Sequence, residues 1–286
     1  MATIDIRNAT YKYPLTKKPA LRDITYTFEP GKFYGIIGEN GGGKTTLCNL
    51  IRGLIPHFFK GKLEGDVIVN GTDIRDWDLG ELSAQIGYVF QNPFTQISGI
   101  KTTVFEEVAM GLENLGIPKD QIIEKVVNVC KLLEIEDLVE KNPNELSGGQ
   151  RQRVAFASII SMESETLVID EPTSQLDPEG TEKVFSIIET LKHSDKTIIL
   201  VEHKIDLIAA YCDEILVMNQ GRIAYSGSTY DVLSNIDILE KGAMIPQTAI
   251  LGHEMNRVGK SLDRIPITID EAVEQINKRR LNHHGN

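Results

Sequence analysis

The chain has 286 residues, 41% hydrophobic and 25% charged, with 30 Lys+Arg against 41 Asp+Glu. This is the composition of an ordinary globular protein and excludes collagenous, low-complexity and largely disordered classes. The formal net charge of -11 argues against a nucleic-acid binder and against direct docking on anionic lipid, since both require a basic face. The length suits one large α/β domain with an appendage, or two small domains. Cys48, Cys130 and Cys212 form no C-x-x-C pair and predict buried small hydrophobes in a reducing compartment. The polar, alternating start MATIDIRNAT does not read as a secretory signal. Apolar runs such as residues 198–201 fall far short of the ~20 residues that span a bilayer. Composition alone therefore predicts a soluble intracellular protein.

The opening third reads as strands and turns. Ile4 and Ile6 alternate with polar residues, as do Tyr26 and Phe28 before a Glu29-Pro30-Gly31 turn. The apolar run 33–37 ends at a glycine-rich loop, after which Leu47, Leu50, Ile51 and Leu54 recur at helical spacing. The stretch from about 92 to 160 predicts helices. Thr103 and Glu106 form a capping box ahead of Val104, Val108, Leu112 and Leu115, and Gly116-Ile117-Pro118 stops that helix. A second amphipathic run covers 121–133, and a third starts near Ser147.

From Leu167 onward the apolar runs are short and uninterrupted, at 167–169, 197–201 and 215–218. Such runs suit strands buried on both faces of a parallel sheet. The expected fold class is α/β, with a helical insertion between the first β-rich part and the later strands. Beyond about Asn235 the pattern loosens into one more helix, where Thr268 and Glu271 make a capping box and Ile269, Ala272, Val273 and Ile276 share a face. The tail from Lys278 reads as frayed, and His283-His284 as part of a solvated terminus.

Gly38-Glu39-Asn40-Gly41-Gly42-Gly43-Lys44-Thr45 fits G-x-x-x-x-G-K-[ST] in full. Phosphate oxygens need several N–H donors close together, and glycine lets the backbone curl that tightly. Lys44 can reach the β- and γ-phosphates, the Thr45 hydroxyl can ligate Mg²⁺, and the helix N-terminus adds its dipole. The competing reading is a glycine-rich turn that binds nothing. The placement between a predicted strand and a predicted helix decides against it.

A nucleotide site with magnesium needs a second carboxylate and a group to activate water. The strand 167–169 leads into Asp170, a metal-supporting carboxylate, and Glu171, a candidate general base. Leu146-Ser147-Gly148-Gly149-Gln150 opens another helix with a serine cap and two glycines, a second anion-binding end. It could fold back on the same ATP or meet the ATP of a second chain in a two-fold dimer.

These motifs, in this order, resemble the ATP-binding subunits of ABC transporters over roughly residues 1–235. Walker A matches Gly38 to Thr46, the Q-loop Gln91, and the signature Leu146 to Gln150. Walker B matches 167–170, followed by the catalytic Glu171, a D-loop at Ser174-Gln175-Leu176-Asp177 and a switch histidine at His203. The resemblance implies a P-loop fold with a mainly parallel core sheet, an N-terminal antiparallel β part and a helical subdomain. It implies ATP held between the Walker A of one subunit and the signature of the other, and Tyr13 stacked on adenine, against a core-packing alternative. It assigns Gln91 to Mg²⁺ and to sensing the transport partner, and His203 to the γ-phosphate.

The stretch Phe90-Gln91-Asn92-Pro93, with Gln96 and the helix beginning at Thr103, is similar to energy-coupling factor importers of vitamins or transition-metal ions. That similarity implies a second ATPase subunit, a transmembrane transporter protein and a small substrate-capture membrane subunit as partners. The chain would be peripheral, on the cytoplasmic face of the membrane, with 236–286 as a C-terminal extension that helps ATPase subunits pair. A conventional ABC importer or exporter subunit is the alternative. A soluble ABC ATPase acting on DNA or the ribosome is disfavoured by the acidic charge and by the lack of a fused second unit or long coiled coil. Four departures stand out: Gly42, expected to loosen the loop while keeping its N–H donor; the proline-free lead 161–166; Gln175; and Glu202 before His203. None removes a catalytic group.

Overall fold

The computed structural model describes residues 3–174, 176–192 and 195–284; Gln175, one of the four departures, lies outside them. The chain begins with β1 (Ile4–Lys12), β2 (Leu21–Phe28) and β3 (Phe33–Gly38), followed by α1 (Lys44–Ile51) and the short α2 (Leu54–His57). Next come β4 (Lys62–Val69), β5 (Thr72–Asp73), α3 (Leu79–Gln85) and β6 (Ile86–Val89). The helical stretch contains α4 (Pro93–Gln96), α5 (Val104–Asn114), α6 (Lys119–Leu132) and α7 (Gly148–Ile160). Strands and helices then alternate: β7 (Thr166–Asp170), α8 (Pro178–Lys192), β8 (Thr197–Val201), α9 (Ile205–Tyr211), β9 (Glu214–Asn219), β10 (Arg222–Ser228) and α10 (Thr229–Leu233). A 3₁₀ turn at Ile236–Lys241, α11 (Gln247–Arg257) and α12 (Ile269–His284) complete the chain.

Two sheets form. One is antiparallel, in the order β2-β1-β4-β5, and the other has six strands in the order β10-β9-β3-β8-β7-β6. In the six-stranded sheet every pairing is parallel except β9 with β10. The fold is thus α/β with a mainly parallel core sheet and a separate antiparallel part.

The uninterrupted apolar runs are explained by a core on each face. In β8, Ile199 and Val201 pack with the antiparallel sheet and α1, while Ile198 and Leu200 pack with the helices of the other face. In β7, Val168 faces the first core and Leu167 and Ile169 the second. Strand geometry sends alternate side chains to opposite faces, so both sets must be apolar. Thr103 opens α5 with the expected capping box, and Val104, Val108 and Leu112 are buried against α7 and its neighbours.

The second core does not stop at residue 235. Ile238, Ala243, Ile245, Ala249 and Ile267 belong to it, and Asn219 donates from Nδ2 to the Lys241 carbonyl at 2.9 Å. The last helix departs from its expected face. Ala272 is buried, but Ile269 and Val273 are exposed, because α12 packs on the rest of the chain along a narrower stripe than its apolar pattern offers. Glu271 also caps differently, accepting from the Ile267 N–H while its own N–H donates to the Thr268 hydroxyl. The helix runs on to His284, past the point where the sequence reads as frayed; Gly285 and Asn286 lie outside the described residues.

No helix among the described residues is long and apolar enough to cross a membrane. All three cysteines are free and buried. The fully buried Ile199 tests the two-core account. Ile199→Ala should cost about 2–5 kcal/mol of unfolding free energy, measured by urea denaturation. A loss under about 1 kcal/mol would mean that this face of β8 is not packed as described.

Candidate functional site

Parallel strands point their carboxyl ends the same way, and functional groups collect there. The ends of β3, β6, β7 and β8 carry Gly38, then Gln91, Asp170, and the pair Glu202-His203. In register, Asp170 stands beside Val201 and Ile169 beside Val89. The edge opens into a cleft of about 790 Å³, lined among others by Asn40, Gly41, Gly43, Lys44, Thr45, Thr46, Gln91 and Glu171.

The loop from Gly38 to Gly43 follows β3 and turns into α1. Gly38 has φ +137, and a Cβ there would lie 2.0 Å from the Met218 carbonyl oxygen. Only glycine fits this position. At Gly42 the structure differs from the loosened loop that the sequence suggests. Its N–H donates within the loop to the Glu39 carbonyl at 3.0 Å. A Cβ there would meet the Glu39 and Met218 carbonyls, each at 2.9 Å. Glycine at 42 is a consequence of crowding by the β9 backbone. The Gly42 carbonyl in turn accepts from Gly221 N–H at 2.9 Å, so the β9–β10 turn braces the loop from behind. Lys44 is buried and donates to the Gly38 and Glu39 carbonyls at 2.9 and 3.1 Å. Burial pushes its ammonium below the ordinary lysine range, against the pull of Glu171 and Asp170.

Asp170 ends β7 almost wholly buried. Its Oδ2 accepts from the Tyr88 hydroxyl at 2.8 Å, while Oδ1 is buried with no hydrogen-bond partner. Burial holds its carboxyl above the usual carboxylate range, and the Glu171 charge adds to the rise; the Tyr88 hydrogen bond, the nearby Thr45 hydroxyl and the Arg52 charge work the other way. Glu171 has φ +45, a left-handed backbone that turns its side chain away from that of Asp170. Such a conformation in a non-glycine residue costs on the order of 1–3 kcal/mol and marks functional sites more often than others. Glu171 is anchored on both sides: Oε2 accepts from Gln91 Nε2 at 2.6 Å, and Oε1 lies 2.9 Å from His203 Nε2.

An oxygen donor set of Thr45 hydroxyl, Asp170 carboxylate and Gln91 amide oxygen suits Mg²⁺, which prefers hard oxygen ligands. The unpartnered Oδ1 of Asp170 is the buried polar atom such a cation would satisfy. Gln91 engages Glu171 through its amide nitrogen, which keeps the amide oxygen out of that contact.

The signature residues are placed elsewhere. Ser147 caps α7 in a capping box with Gln150, and Gly148 has open space where a Cβ would sit. Ser147, Gly148, Gly149, Gln150 and Asp177 line a separate cleft of about 420 Å³. No lining residue is common to the two clefts. Asp177 Oδ1 accepts from the Gly180 N–H at 2.7 Å, holding the start of α8 against that cleft. Tyr13 meets α1 through its hydroxyl, 3.4 Å from Thr46 Oγ1, and packs edge-on against Tyr11 and Phe59. It is half-buried beside the phosphate-loop cleft and does not line it.

The sequence reading passes over several residues. Lys18, Arg22, Gln220 and Gly221 line the first cleft. The Gln220-Gly221 pair is legible as a turn, but its approach to the loop is a tertiary contact. Glu202, noted only as a departure, is a buried carboxylate. Its Oε1 accepts from the His203 and Lys204 N–H groups at 2.9 and 3.2 Å, and Oε2 from the Thr173 hydroxyl at 3.0 Å. It therefore ties the loop that carries His203 to the segment after Glu171.

The chain matches the family model described as "ABC transporter" over residues 21–174. It belongs to the ABC transporter family. It is 40% identical over 281 residues to a putative ABC transporter ATP-binding protein of Pyrococcus abyssi, covering 98% of this chain and 99% of that one. It is 38% identical over 283 residues to an energy-coupling factor transporter ATP-binding protein, EcfA2, of Acetivibrio thermocellus, covering 96% and 98%. Among solved structures, cbiO1 of Clostridium perfringens, part of the ABC transporter complex cbiONQ, aligns with TM-score 0.71 at 31% identity over 90% of this chain and 96% of its own. The ATP-binding cassette MJ0796, in a dimeric post-hydrolysis state bound to ADP and Pi, aligns with TM-score 0.68 at 27% identity over 79% and 98%. ABC ATPases of this kind bind ATP, dimerise and work with transmembrane components.

Two substitutions test the site. Lys44→Ala should weaken nucleotide binding roughly 10–100-fold, as expected for losing charge-assisted bonds to phosphate; unchanged affinity by calorimetry would refute the phosphate assignment. Glu202→Ala leaves three donors without their acceptor, and a loss of about 1–3 kcal/mol in holding the loop lowers turnover roughly 10–100-fold. Nucleotide affinity should stay near wild type, and a parallel loss of both would point to general misfolding.

Proposed function

We propose that this chain is the ATP-hydrolysing subunit of an energy-coupling factor importer, a membrane transporter for a vitamin or a transition-metal ion. The observation that carries hydrolysis is the placement of Glu171. It lines the cleft formed by the phosphate loop, its carboxylate is anchored by Gln91 and His203, and its neighbour Asp170 points elsewhere. The importer subfamily is supported by near full-length similarity to a relative named EcfA2 and by the structural likeness to cbiO1.

In this reading, Gly38 through Thr46 hold the triphosphate through backbone N–H groups and the Lys44 ammonium. Thr45, Asp170 and Gln91 would hold Mg²⁺, which would supply positive charge to offset that of the phosphates. Glu171 orients a water and accepts its proton as the oxygen attacks the γ-phosphorus and the bond to the bridging oxygen breaks, yielding ADP and phosphate. His203 contacts the γ-phosphate while its loop is held by Glu202.

The signature cleft has the groups to bind the same phosphate from the far side, but in one chain it lies apart from the loop. A second ATPase subunit, identical or a paralogue, would supply the missing half of each site. Such a pair would sit at the cytoplasmic face of the membrane, carried there by a transmembrane protein beside a substrate-capture subunit. Residues 1–235 would form the nucleotide-binding domain, and 236–286 an extension that assists pairing.

Glu171→Gln should keep ATP binding and accumulate an ATP-bound dimer. Elution of that variant as a monomer in size-exclusion chromatography with excess Mg-ATP would count against the sandwich. Co-purification of the tagged chain with a polytopic membrane protein is expected in its native host, and its absence would favour a soluble ABC ATPase.

A further inference from the structure

Asp170 has two carboxylate oxygens in different circumstances. Oδ2 accepts from the Tyr88 hydroxyl at 2.8 Å, and Oδ1 is buried and unpartnered. Tyr88 is itself held on several sides. Its ring carries the Arg52 guanidinium at 3.6 Å from the centroid and packs edge-on against Phe90 at 4.8 Å. Arg52 is the residue that closes α1, and it is fixed by two bonds to Asn49 Oδ1 at 3.1 and 2.9 Å. The same helix begins with Lys44 and Thr45. A chain of contacts therefore runs from the far end of the phosphate-loop helix, through a clamped phenol, to the carboxylate at its near end.

An unrestrained carboxylate can rotate about its Cβ–Cγ bond and offer either oxygen, or both. A hydrogen bond to one oxygen removes that freedom and leaves the other in a fixed direction. We infer that Tyr88, held by Arg52, is a positioning residue that occupies Asp170 Oδ2 so that Oδ1 is presented to the nucleotide-bound magnesium. This rests on the proposed assignment of Asp170 and Thr45 to magnesium. The bland alternative is that Tyr88 only fills core space and satisfies a buried acid. That role would affect stability but not the magnesium requirement.

The test compares the full chain with Tyr88→Phe, which keeps the ring and removes the hydroxyl. ATP affinity is measured by calorimetry in EDTA and across a magnesium titration, with ATPase rate followed over the same titration. Outer-shell partners of metal ligands typically change metal affinity 10–100-fold. The expected result is a rise of about tenfold or more in the half-saturating magnesium concentration. ATP affinity in EDTA should be unchanged, and the rate lost at low magnesium should be recovered by raising it. An unchanged half-saturation point, or affinities in EDTA and in magnesium that fall together, overturns the inference. If Tyr88→Phe does not fold, Arg52→Lys decides: it keeps the Tyr88 hydroxyl and the positive charge near Asp170, loses the planar guanidinium that covers the ring, and should shift half-saturation in the same direction, and no shift overturns the inference. Should wild-type ATP binding and hydrolysis be indifferent to magnesium, the metal assignment itself falls, which is a separate outcome from a magnesium-dependent wild type with an unshifted variant.

Discussion

Parallel pairing of β6, β7, β8 and β3 is the constraint on which the site depends. Each strand is short and apolar on both faces, so burial fixes its register, and each ends at the same edge of the sheet. The groups at and just beyond these strand ends are Gln91, Asp170-Glu171, Glu202-His203 and the loop opened by Gly38. Groups far apart in the chain meet there without any local sequence signal that they should. A slip of one residue in β7 would send Asp170 to the opposite face and leave the loop without its carboxylate.

Bringing these groups together places several charges out of water. Lys44, Asp170 and Glu202 are all buried, and buried charges are costly unless paired or hydrogen-bonded. Two are well supplied: Lys44 by loop carbonyls, and Glu202 by three donors. Asp170 is supplied on one oxygen only. The incomplete satisfaction falls where a cation is expected, as local rules tend to be broken at functional sites. The left-handed backbone of Glu171 belongs to the same pattern.

Much of this was legible in the sequence, for physical reasons. The phosphate loop is a local motif, since its glycines and Lys44 act within a few residues of one another. The α/β class followed from the unbroken apolar runs, and the α5 cap from Thr103 and Glu106. Residues that act across the fold outside those motifs were not legible. Tyr88 looks like a strand aromatic until β7 is laid beside β6. Glu202 looks like a surface acid until Thr173 is placed against it. Gly42 suggested slack, and the crowding by Met218 becomes visible only once β9 is beside β3. For α12 the reverse holds: the apolar pattern at Ile269 and Val273 promised a buried face that one chain does not provide.

Gly242 has φ +82, and a Cβ there would lie 2.9 Å from the side chain of Glu39 in the phosphate loop. The break in sequence pattern near residue 235 is therefore not a mechanical seam. The turn at 241–242 rests on the phosphate loop itself, is tied to the end of β9 through Asn219, and continues into helices rooted in the shared core. Any shift of Glu39 has to displace this turn or be resisted by it. The terminal segment is thus in series with the loop, like a spring against a latch, rather than hanging from the domain as a tether.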